Sequence, residues 1–259
     1  MLRVVAAHSA DAIGAEGAEA VAALCSCIGE GGVALIPTDT VYGLACDPDS
    51  GEALARLYEI KGRPPWRPAA VMFPTLGEAY AALGELPARL REALARLLPG
   101  PVTLLLENPA GLFPLACAPQ DALAPPAGAG AIHAADAALG IRVPAFAGGP
   151  AALTQLGRPL LQSSANRTGG ADSGSLAQID PQLRAAADMV LDGGALPGSA
   201  SSVIDLRRYA AEGRFELLRE GPLGREQIAR LLDAPISTRA ESTDVHPAIA
   251  PEFGHPLSI

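Results

Sequence analysis

The sequence predicts an α+β domain in which helices cover a mixed β-sheet, and three observations support this. In the first half of the chain, short apolar runs that suit buried strands alternate with segments of helical periodicity. In the second half, short strand candidates lie close together. Hydrophobic residues make up 49% of the 259 residues and charged residues 18%, so the chain can bury a substantial core.

Six segments have the pattern of a helix. Apolar side chains recur every three or four positions between residues 16 and 28, and glycines follow at 29, 31 and 32. The segment 86–98 is strongly amphipathic, and Pro99-Gly100-Pro101 ends it. The remaining predicted helices run from about Ser50 to Lys61, near 150–156, over about 175–187 and over about 223–232.

The predicted strands are short apolar runs at Val33–Ile36, Ala69–Phe73, Val102–Leu106, Gly140–Pro144, Pro159–Gln162, Met189–Asp192, Ser202–Leu206 and Phe215–Arg219. Residues 1–232 are therefore expected to form one domain. It contains an insertion at about 108–139, rich in Ala, Pro and Gly, which is typical of a functional loop or a disordered segment. Residues 233–259 read as a flexible tail.

Charge and composition exclude several function classes. The 19 basic and 28 acidic residues give a net charge of −9, which argues against a general electrostatic grip on nucleic acid. An anionic ligand must then be held by a local cationic pocket. No apolar stretch reaches the length of a membrane span, and the N-terminus lacks the apolar region of a signal peptide, so a cytoplasmic protein with no membrane contact is expected.

Metal chemistry built by the protein itself is not expected. The four cysteines fit no zinc spacing and no disulfide framework, and the four histidines form no pair at a ligand spacing. No G-x-G-x-x-G or Walker A sequence is present, so any nucleotide site is of another type.

The segment Lys61-Gly62-Arg63-Pro64 places two cations at the end of a predicted helix. Gly62 permits a left-handed turn and Pro64 pushes Arg63 toward an extended conformation, so the two charges hold a fixed relationship. Such a pair suits polyphosphate, because Lys acts as a point charge and Arg as a planar fork. Two basic residues that complement a helix dipole are the alternative.

Three further segments carry polar groups at strand ends, where ligands of layered sheets commonly bind. Hydroxyls and an amide in Ser163-Ser164-Ala165-Asn166 suit phosphate oxygens, a carboxylate or magnesium, and ordinary turn capping is the alternative. The polar atoms of Pro37-Thr38-Asp39-Thr40 suit a small amino acid or adenosine groups, and an Asx or Thr turn is the alternative. Arg219 is either a phosphate contact or an exposed partner of Glu220. Arg142 lies in an apolar strand, which indicates either a bound anion or an internal salt bridge.

Taken together and in order, these segments resemble the YrdC family of threonylcarbamoyladenylate synthases over roughly residues 10–232. The resemblance rests on seven motifs in register, namely Pro-Thr-Asp-Thr-Val-Tyr-Gly-Leu (37–44), Lys-Gly-Arg-Pro (61–64), Pro-Gly-Pro-Val-Thr (99–103), Arg-Val-Pro (142–144), Ser-Ser-Ala-Asn (163–166), Ser-Ser-Val-Ile-Asp (201–205) and Leu-Arg-Glu-Gly (218–221). It implies a three-layer fold with a twisted mixed sheet around a concave nucleotide pocket.

The resemblance also implies roles for particular residues. Its Lys-x-Arg and Ser-x-Asn elements assign the phosphates and the threonylcarbamate to Lys61, Arg63, Ser164 and Asn166. Threonine and ATP are expected to contact Thr38, Tyr42, Arg142, Ser163, Ser202 and Arg219.

The implied reaction joins ATP, L-threonine and bicarbonate or CO2 into threonylcarbamoyl-AMP and pyrophosphate, for modification of tRNA at position 37. Mg2+ is expected to accompany ATP, with no protein ligand assigned to it. A threonylcarbamoyl transferase complex is the expected recipient of the product, and strong direct RNA binding is not expected. Two alternatives remain open, a carbamoyladenylate-forming enzyme of a carbamoyl-transfer pathway and a non-catalytic RNA-binding module; a paralogue that accepts another amino acid is a third.

The sequence departs from the family pattern at four places. These are Ala145-Phe146-Ala147-Gly148 after Arg-Val-Pro, Gln162-Ser163 before Ser-Ala-Asn, Pro65-Trp66-Arg67-Pro68 after Lys-Gly-Arg, and the long insertion. Altered pocket shape or substrate preference is the expected consequence. The segment after residue 232 is too short for the separate C-terminal domain of longer members.

Overall fold

A twisted mixed sheet is the frame of the molecule. The computed structural model describes residues 3–6, 15–62, 69–108, 110–117 and 138–233. The strands are β1 Arg3–Ala6, β2 Ala34–Ile36, β3 Gly43–Cys46, β4 Ala70–Met72, β5 Val102–Glu107, β6 Ala138–Arg142, β7 Leu160–Ser164, β8 Met189–Asp192, β9 Ser202–Asp205 and β10 Glu216–Arg219. They form one ten-stranded sheet in the order β1-β8-β2-β3-β7-β4-β6-β5-β9-β10.

Parallel and antiparallel pairs alternate irregularly across this sheet. β1 and β2 both run parallel to β8, β4 runs parallel to β6, and β5 runs parallel to β9. The other neighbours are antiparallel. The predicted α+β fold with a mixed sheet is therefore confirmed.

Helices cover both faces of the sheet. They are α1 Ala15–Gly29, α2 Gly51–Lys61, α3 Leu76–Leu83, α4 Ala88–Leu97, α5 Pro181–Ala186, α6 Tyr209–Glu212 and α7 Arg225–Leu232, with 3₁₀ helices at Gly149–Gln155 and Leu176–Gln178. Leu35 of β2 packs in one core cluster with α2 and α4, while its neighbour Ile36 packs in a second cluster with α1. This alternation follows from the two-residue period of a strand and produces the three predicted layers.

Several sequence predictions of secondary structure were incomplete. The sequence did not predict β1, β3, α3 or α6, and it placed the end of the irregular insertion at residue 139, whereas β6 begins at Ala138. The single helix expected over 175–187 is divided, because Pro181 starts a new helix. Its predecessor Asp180 is non-helical, with φ −45° and ψ 122°, and its side chain accepts from the N–H of Gln182. Residues 234–259 of the predicted tail and residues 109 and 118–137 of the predicted insertion lie outside the described residues.

The ends of α2 are set by two local signals that position the site. The Ser50 side chain accepts from the N–H of Ala53, which caps the start of the helix. Gly62 has φ 57° and ψ 37°, so the expected left-handed turn is confirmed directly after Lys61. Lys61 is thus held at the last position of a rigid helix.

Gly221 is required by a close approach between two backbone segments. A Cβ at this position would lie 2.6 Å from the nitrogen of Ser202 and 2.8 Å from the carbonyl carbon of Ser201. Because these are backbone atoms, the steric clash could be removed only by a movement of β9. The glycine of the Leu-Arg-Glu-Gly motif therefore lets the chain pass beside β9.

We expect Gly221→Ala to lower the free energy of unfolding by about 2 kcal/mol or more, because the overpacked backbone cannot relax locally. Gly51→Ala is the matched control, since Gly51 opens α2 and a Cβ there meets no atom within 4 Å. Urea unfolding followed by circular dichroism measures both variants. Equal stabilities for the two variants would contradict the close-approach argument.

Candidate active site

Three strand ends meet at one edge of the sheet. The register pairs Ile36 with Gly43 and Gly43 with Ser164, so the end of β2, the start of β3 and the end of β7 lie side by side. The loop between β2 and β3 and the segment after β7 both leave the sheet here. The N–H of Ala165 donates to the carbonyl of Tyr42 at 2.8 Å and joins these two segments.

Lys61 reaches this edge from the end of α2. Its side chain is buried, with 1% of the residue exposed. Nζ donates to the backbone carbonyl of Ser164 and, at 3.2 Å, to Oδ1 of Asn166. The carbonyl of Lys61 accepts from the N–H of Thr168 at 3.1 Å, which also fixes the backbone of the helix end.

A hydrogen-bond network orients the amide of Asn166. Its Oδ1 accepts from Oγ of Ser164 at 2.7 Å, and its Nδ2 donates to the carbonyl of Gly170 at 2.6 Å and to Oδ1 of Asp172 at 3.4 Å. Three of the four residues assigned to phosphate and threonylcarbamate therefore meet in one cluster. The fourth, Arg63, lies outside the described residues.

Thr38 is buried inside the loop between β2 and β3. Its Oγ1 donates to the carbonyl of Val41 at 2.7 Å and lies 3.0 Å from Oγ1 of Thr40. The N–H groups of Thr40 and Val41 both point at the same Oγ1, at 3.2 and 3.3 Å. The hydroxyl therefore shapes a threonine turn, which is one of the two alternatives that the sequence left open.

Arg142 forms the internal salt bridge that the sequence left as an alternative to a bound anion. Nη2 donates to Oδ1 of Asp39 and to Oγ1 of Thr40, both at 2.9 Å, while Nη1 donates to Oε1 of Gln162 at 3.2 Å. Oδ2 of Asp39 accepts from the N–H of Ala145 at 3.1 Å. The pair ties the loop after β2 to the end of β6.

Burial opposes both charges of this pair. Desolvation lowers the pKa of Arg142, Asp39 raises it, and the nearby positive charge of Arg219 lowers it further. Desolvation likewise raises the pKa of Asp39, against the attraction of Arg142. Each ion is the main compensation for the other, so the pair is sensitive to the loss of either partner.

Tyr42 uses its hydroxyl within the protein. It donates to the carbonyl of Gly194 at 2.8 Å, lies 3.2 Å from Oδ1 of Asp192, and accepts from the N–H of Gly193 at 2.9 Å. Burial raises its pKa well above the usual range. These contacts give Tyr42 a structural role between the loop and the end of β8, and its expected contact with substrate remains a prediction.

The remaining predicted contact residues are Ser163 on β7, and Ser202 and Arg219 on the neighbouring strands β9 and β10. Ser163 is buried on β7 opposite Leu44. Ser202 is fully buried, where Oγ donates to the carbonyl of Leu223 at 2.7 Å and accepts from the N–H of Gly221. Arg219 is exposed, and its Nε and Nη2 donate to the carbonyl of Ser201 at 3.0 and 2.8 Å.

Three residues that the structure brings to the site had no individual prediction from the sequence. Asp39 was noted only as part of a motif, Gln162 only as a departure from the family pattern, and Asp172 not at all. The charge of Arg142 in an apolar strand indicated either a bound anion or an internal salt bridge, and it did not indicate which acid would form the bridge. Among the described residues, no group of three His, Cys, Asp or Glu side chains is placed to hold a metal ion, and no helix has the length and apolar character needed to span a bilayer.

Known proteins share this sequence pattern and fold. Residues 26–221 match the Sua5/YciO/YrdC family model, described as "Telomere recombination". The chain belongs to the Sua5/YciO/YrdC family.

Relatives in this family include a named enzyme and a threonine complex. Mouse threonylcarbamoyl-AMP synthase is 32% identical over 214 residues, which cover 78% of this chain and 67% of the mouse protein. The structure of P. abyssi Sua5 complexed with L-threonine superposes with a TM-score of 0.68 at 26% identity and covers 89% of this chain. E. coli YciO superposes with a TM-score of 0.65 at 21% identity, which shows a shared fold. The chain spans 60% of the P. abyssi Sua5 chain and 98% of the YciO chain.

We expect Asp39→Asn to lower the free energy of unfolding by about 3 kcal/mol, because Arg142 keeps its buried charge and loses the opposing one. In the double variant Asp39→Asn with Arg142→Met, we expect a smaller loss, since no uncompensated charge remains. Chemical denaturation measures the cycle. Glu212→Gln is the control, because it breaks an exposed pair with Arg214. A double variant as unstable as the sum of the single ones would contradict this account.

Proposed function

We propose that this protein is a threonylcarbamoyl-AMP synthase that joins L-threonine, bicarbonate or CO2, and ATP. The observation that carries the proposal is the meeting of Lys61 with Ser164 and Asn166, which lie more than 100 positions away along the chain. The 32% identity to mouse threonylcarbamoyl-AMP synthase and the structural similarity to threonine-bound P. abyssi Sua5 support it.

The proposed reaction requires that the substrates are held in position, and it needs no nucleophilic side chain. The threonine amine attacks the carbonyl carbon of bicarbonate, a C–N bond forms, and water leaves to give N-carboxy-threonine. An oxygen of the new carboxylate then attacks the α-phosphorus of ATP, and the bond from the α-phosphorus to the bridging oxygen breaks as pyrophosphate leaves. Two anions must be held together against their repulsion, so fixed positive charge and hydrogen-bond donors supply the catalysis.

Each residue of the cluster has a role in this proposal. Lys61 offsets the negative charge of the phosphates and the carboxylate, and the helix end holds its position before the reactants arrive. Ser164 and Asn166 contact the phosphate or the carbamate. Arg63 is proposed to supply a second charge, on the strength of its place next to Lys61 in the sequence.

The other predicted contact residues are assigned two kinds of role, one that shapes the pocket and one that contacts the nucleotide. We assign to Thr38, Tyr42 and Arg142 the shaping of the threonine side of the pocket, since their polar atoms bind the protein itself. Arg219 is exposed and is proposed to contact the nucleotide, with Ser202 and Gly221 holding its strand in place. Ser163 is buried on β7 and is proposed to act indirectly, by supporting this strand.

Magnesium is proposed to enter with ATP. Its preferred ligands are oxygens, and the described residues form no acidic cluster that would replace the phosphate oxygens. The hydroxyl of Ser164 and the carboxylate of Asp172 are the oxygen donors at the site that could complete its shell. When bound, the ion neutralises charge on the phosphates.

The product is proposed to pass to a threonylcarbamoyl transferase complex for modification of tRNA, without a strong direct grip on RNA by this chain of net charge −9. A carbamoyladenylate-forming activity and preference for another amino acid are the outcomes that the test below must separate from this proposal.

We expect Lys61→Met to lower threonine-dependent pyrophosphate release by about 100-fold, because a buried charge at the reacting phosphates is lost. Methionine preserves most of the buried volume. Arg214→Met is the matched control, because Arg214 is an exposed cation whose nearest acid is Glu212 at 3.6 Å. Release is measured with ATP, Mg2+ and bicarbonate, with and without L-threonine, and mass spectrometry identifies the adenylate.

Release that does not depend on threonine, or that responds to carbamoyl phosphate instead, would contradict the proposed function. Full activity in the Lys61→Met variant would contradict the assignment of the site while leaving the reaction intact. Circular dichroism of each variant separates loss of activity from loss of fold.

A further inference from the structure

Two buried side chains at the candidate site have hydrogen-bonding groups without a partner. In the described part of the chain, three buried side-chain atoms lack one, namely Glu78 Oε2, Arg142 Nε and Gln162 Nε2. Two of these three belong to a single hydrogen-bonded pair, and Arg142 and Gln162 are only 4% and 3% exposed. Buried donors without acceptors are costly and rare in native proteins. Their concentration here points to an acceptor from outside the chain.

The orientation of Gln162 is set by its neighbour. Nη1 of Arg142 can only donate, so the amide oxygen of Gln162 must face it, and Nε2 points the other way. Nε2 lies over Gly43, where a Cβ would collide with it and would stand 3.0 Å from Cδ of Gln162. Gly43 pairs with Ser164, which accepts from Lys61. Nε2 is therefore directed toward the same edge of the sheet as Lys61.

The surroundings favour a negatively charged partner. Nε2 is a donor only, so the missing group must accept. Arg219 lies close enough to Arg142 to lower its pKa, so two cations stand against the single carboxylate of Asp39. A carboxylate-type oxygen meets these conditions.

We infer that Gln162 is a specificity-determining residue whose Nε2 donates to an oxygen of a small carboxylate-type anion bound beside Arg142. This inference rests on the proposed function, whose substrates offer two such groups, the carboxylate of the amino acid and bicarbonate. Nε2 exposes almost no surface in this structure, so the oxygen reaches it through a small rotation about the terminal torsion of Gln162 that keeps Oε1 facing Arg142; this torsion is broad in side chains of this type.

Gln162→Glu tests this inference directly. The substitution keeps an oxygen facing Arg142 and replaces only the donor with a second oxygen. The KM of L-threonine or of bicarbonate should rise about tenfold or more, while the KM of ATP stays unchanged. A rise for threonine alone identifies the amino-acid carboxylate as the partner, and a rise for bicarbonate alone, measured in CO2-depleted buffer, identifies bicarbonate.

Two further variants separate loss of the donor from the effect of an added charge. Gln162→Met removes the donor without adding charge, together with the acceptor of Nη1 of Arg142, and should give a similar rise; the Glu variant, which keeps that acceptor, isolates the loss of the donor. Gln178→Glu adds the same charge on an exposed side chain and should change no KM, since Oε1 of Gln178 only accepts from the N–H of Gly174. Unchanged KM values for threonine and bicarbonate in both Gln162 variants, or a rise for ATP alone, would overturn the inference.

Failure of the proposed function is distinguishable from failure of this inference. A wild-type protein without threonine-dependent pyrophosphate release contradicts the function. In that event calorimetric titration with L-threonine and with sodium bicarbonate still tests the inference about Gln162. Weaker binding of either one to Gln162→Glu than to the wild type supports the inference, and equal or absent binding overturns it.

Discussion

The buried ion pair between Arg142 and Asp39 is the interaction on which the architecture of the site depends. It joins β6 to the loop after β2, although 103 positions separate the two residues and β3, β7 and β4 lie between their strands. Loss of either charge leaves the other buried without an opposite charge, so the pair stabilises this arrangement of the loop. That arrangement turns Thr38 inward and sets the start of β3, which in turn fixes the row of Gly43 and Ser164.

The position of Lys61 follows from this frame together with the helix caps. Ser50 and Gly62 define the two ends of α2, and its apolar face packs against the sheet, so the ammonium group arrives at the end of β7 with little freedom left. The backbone carbonyl of Ser164 and the amide oxygen of Asn166 accept from this group and hold it in place. A preorganised cation of this kind loses little conformational entropy when phosphate binds, which is the property that charge-stabilising catalysis requires.

The parts of the fold that depend on local signals were predictable, and those that depend on distant contacts were not. The turn at Gly62 and the helix before it follow from neighbouring residues, so the sequence sufficed. β3 was missed because its four residues begin with glycine and show no alternation, and it exists through its pairing with β2 and β7. The partner of Arg142 could not be chosen from sequence, since several acids were available and only the register of the sheet selects Asp39. For the same reason the sequence did not reveal the unpaired Nε2 of Gln162, whose environment depends on three strands.

The conformation of Gln162 depends on the absence of a side chain at Gly43. A side chain at 43 would displace the amide of Gln162, and without that amide Nη1 of Arg142 would lose its acceptor and the ion pair would lose one of its supports. The chain thus keeps a bare backbone position and an unsatisfied donor, two features that reduce stability on their own. Proteins retain such features where binding returns the lost free energy. The stability cost and the proposed contact therefore coincide at Gly43, Gln162 and Arg142. The buried salt bridge that holds the loop also orients the donor that we propose contacts the anion.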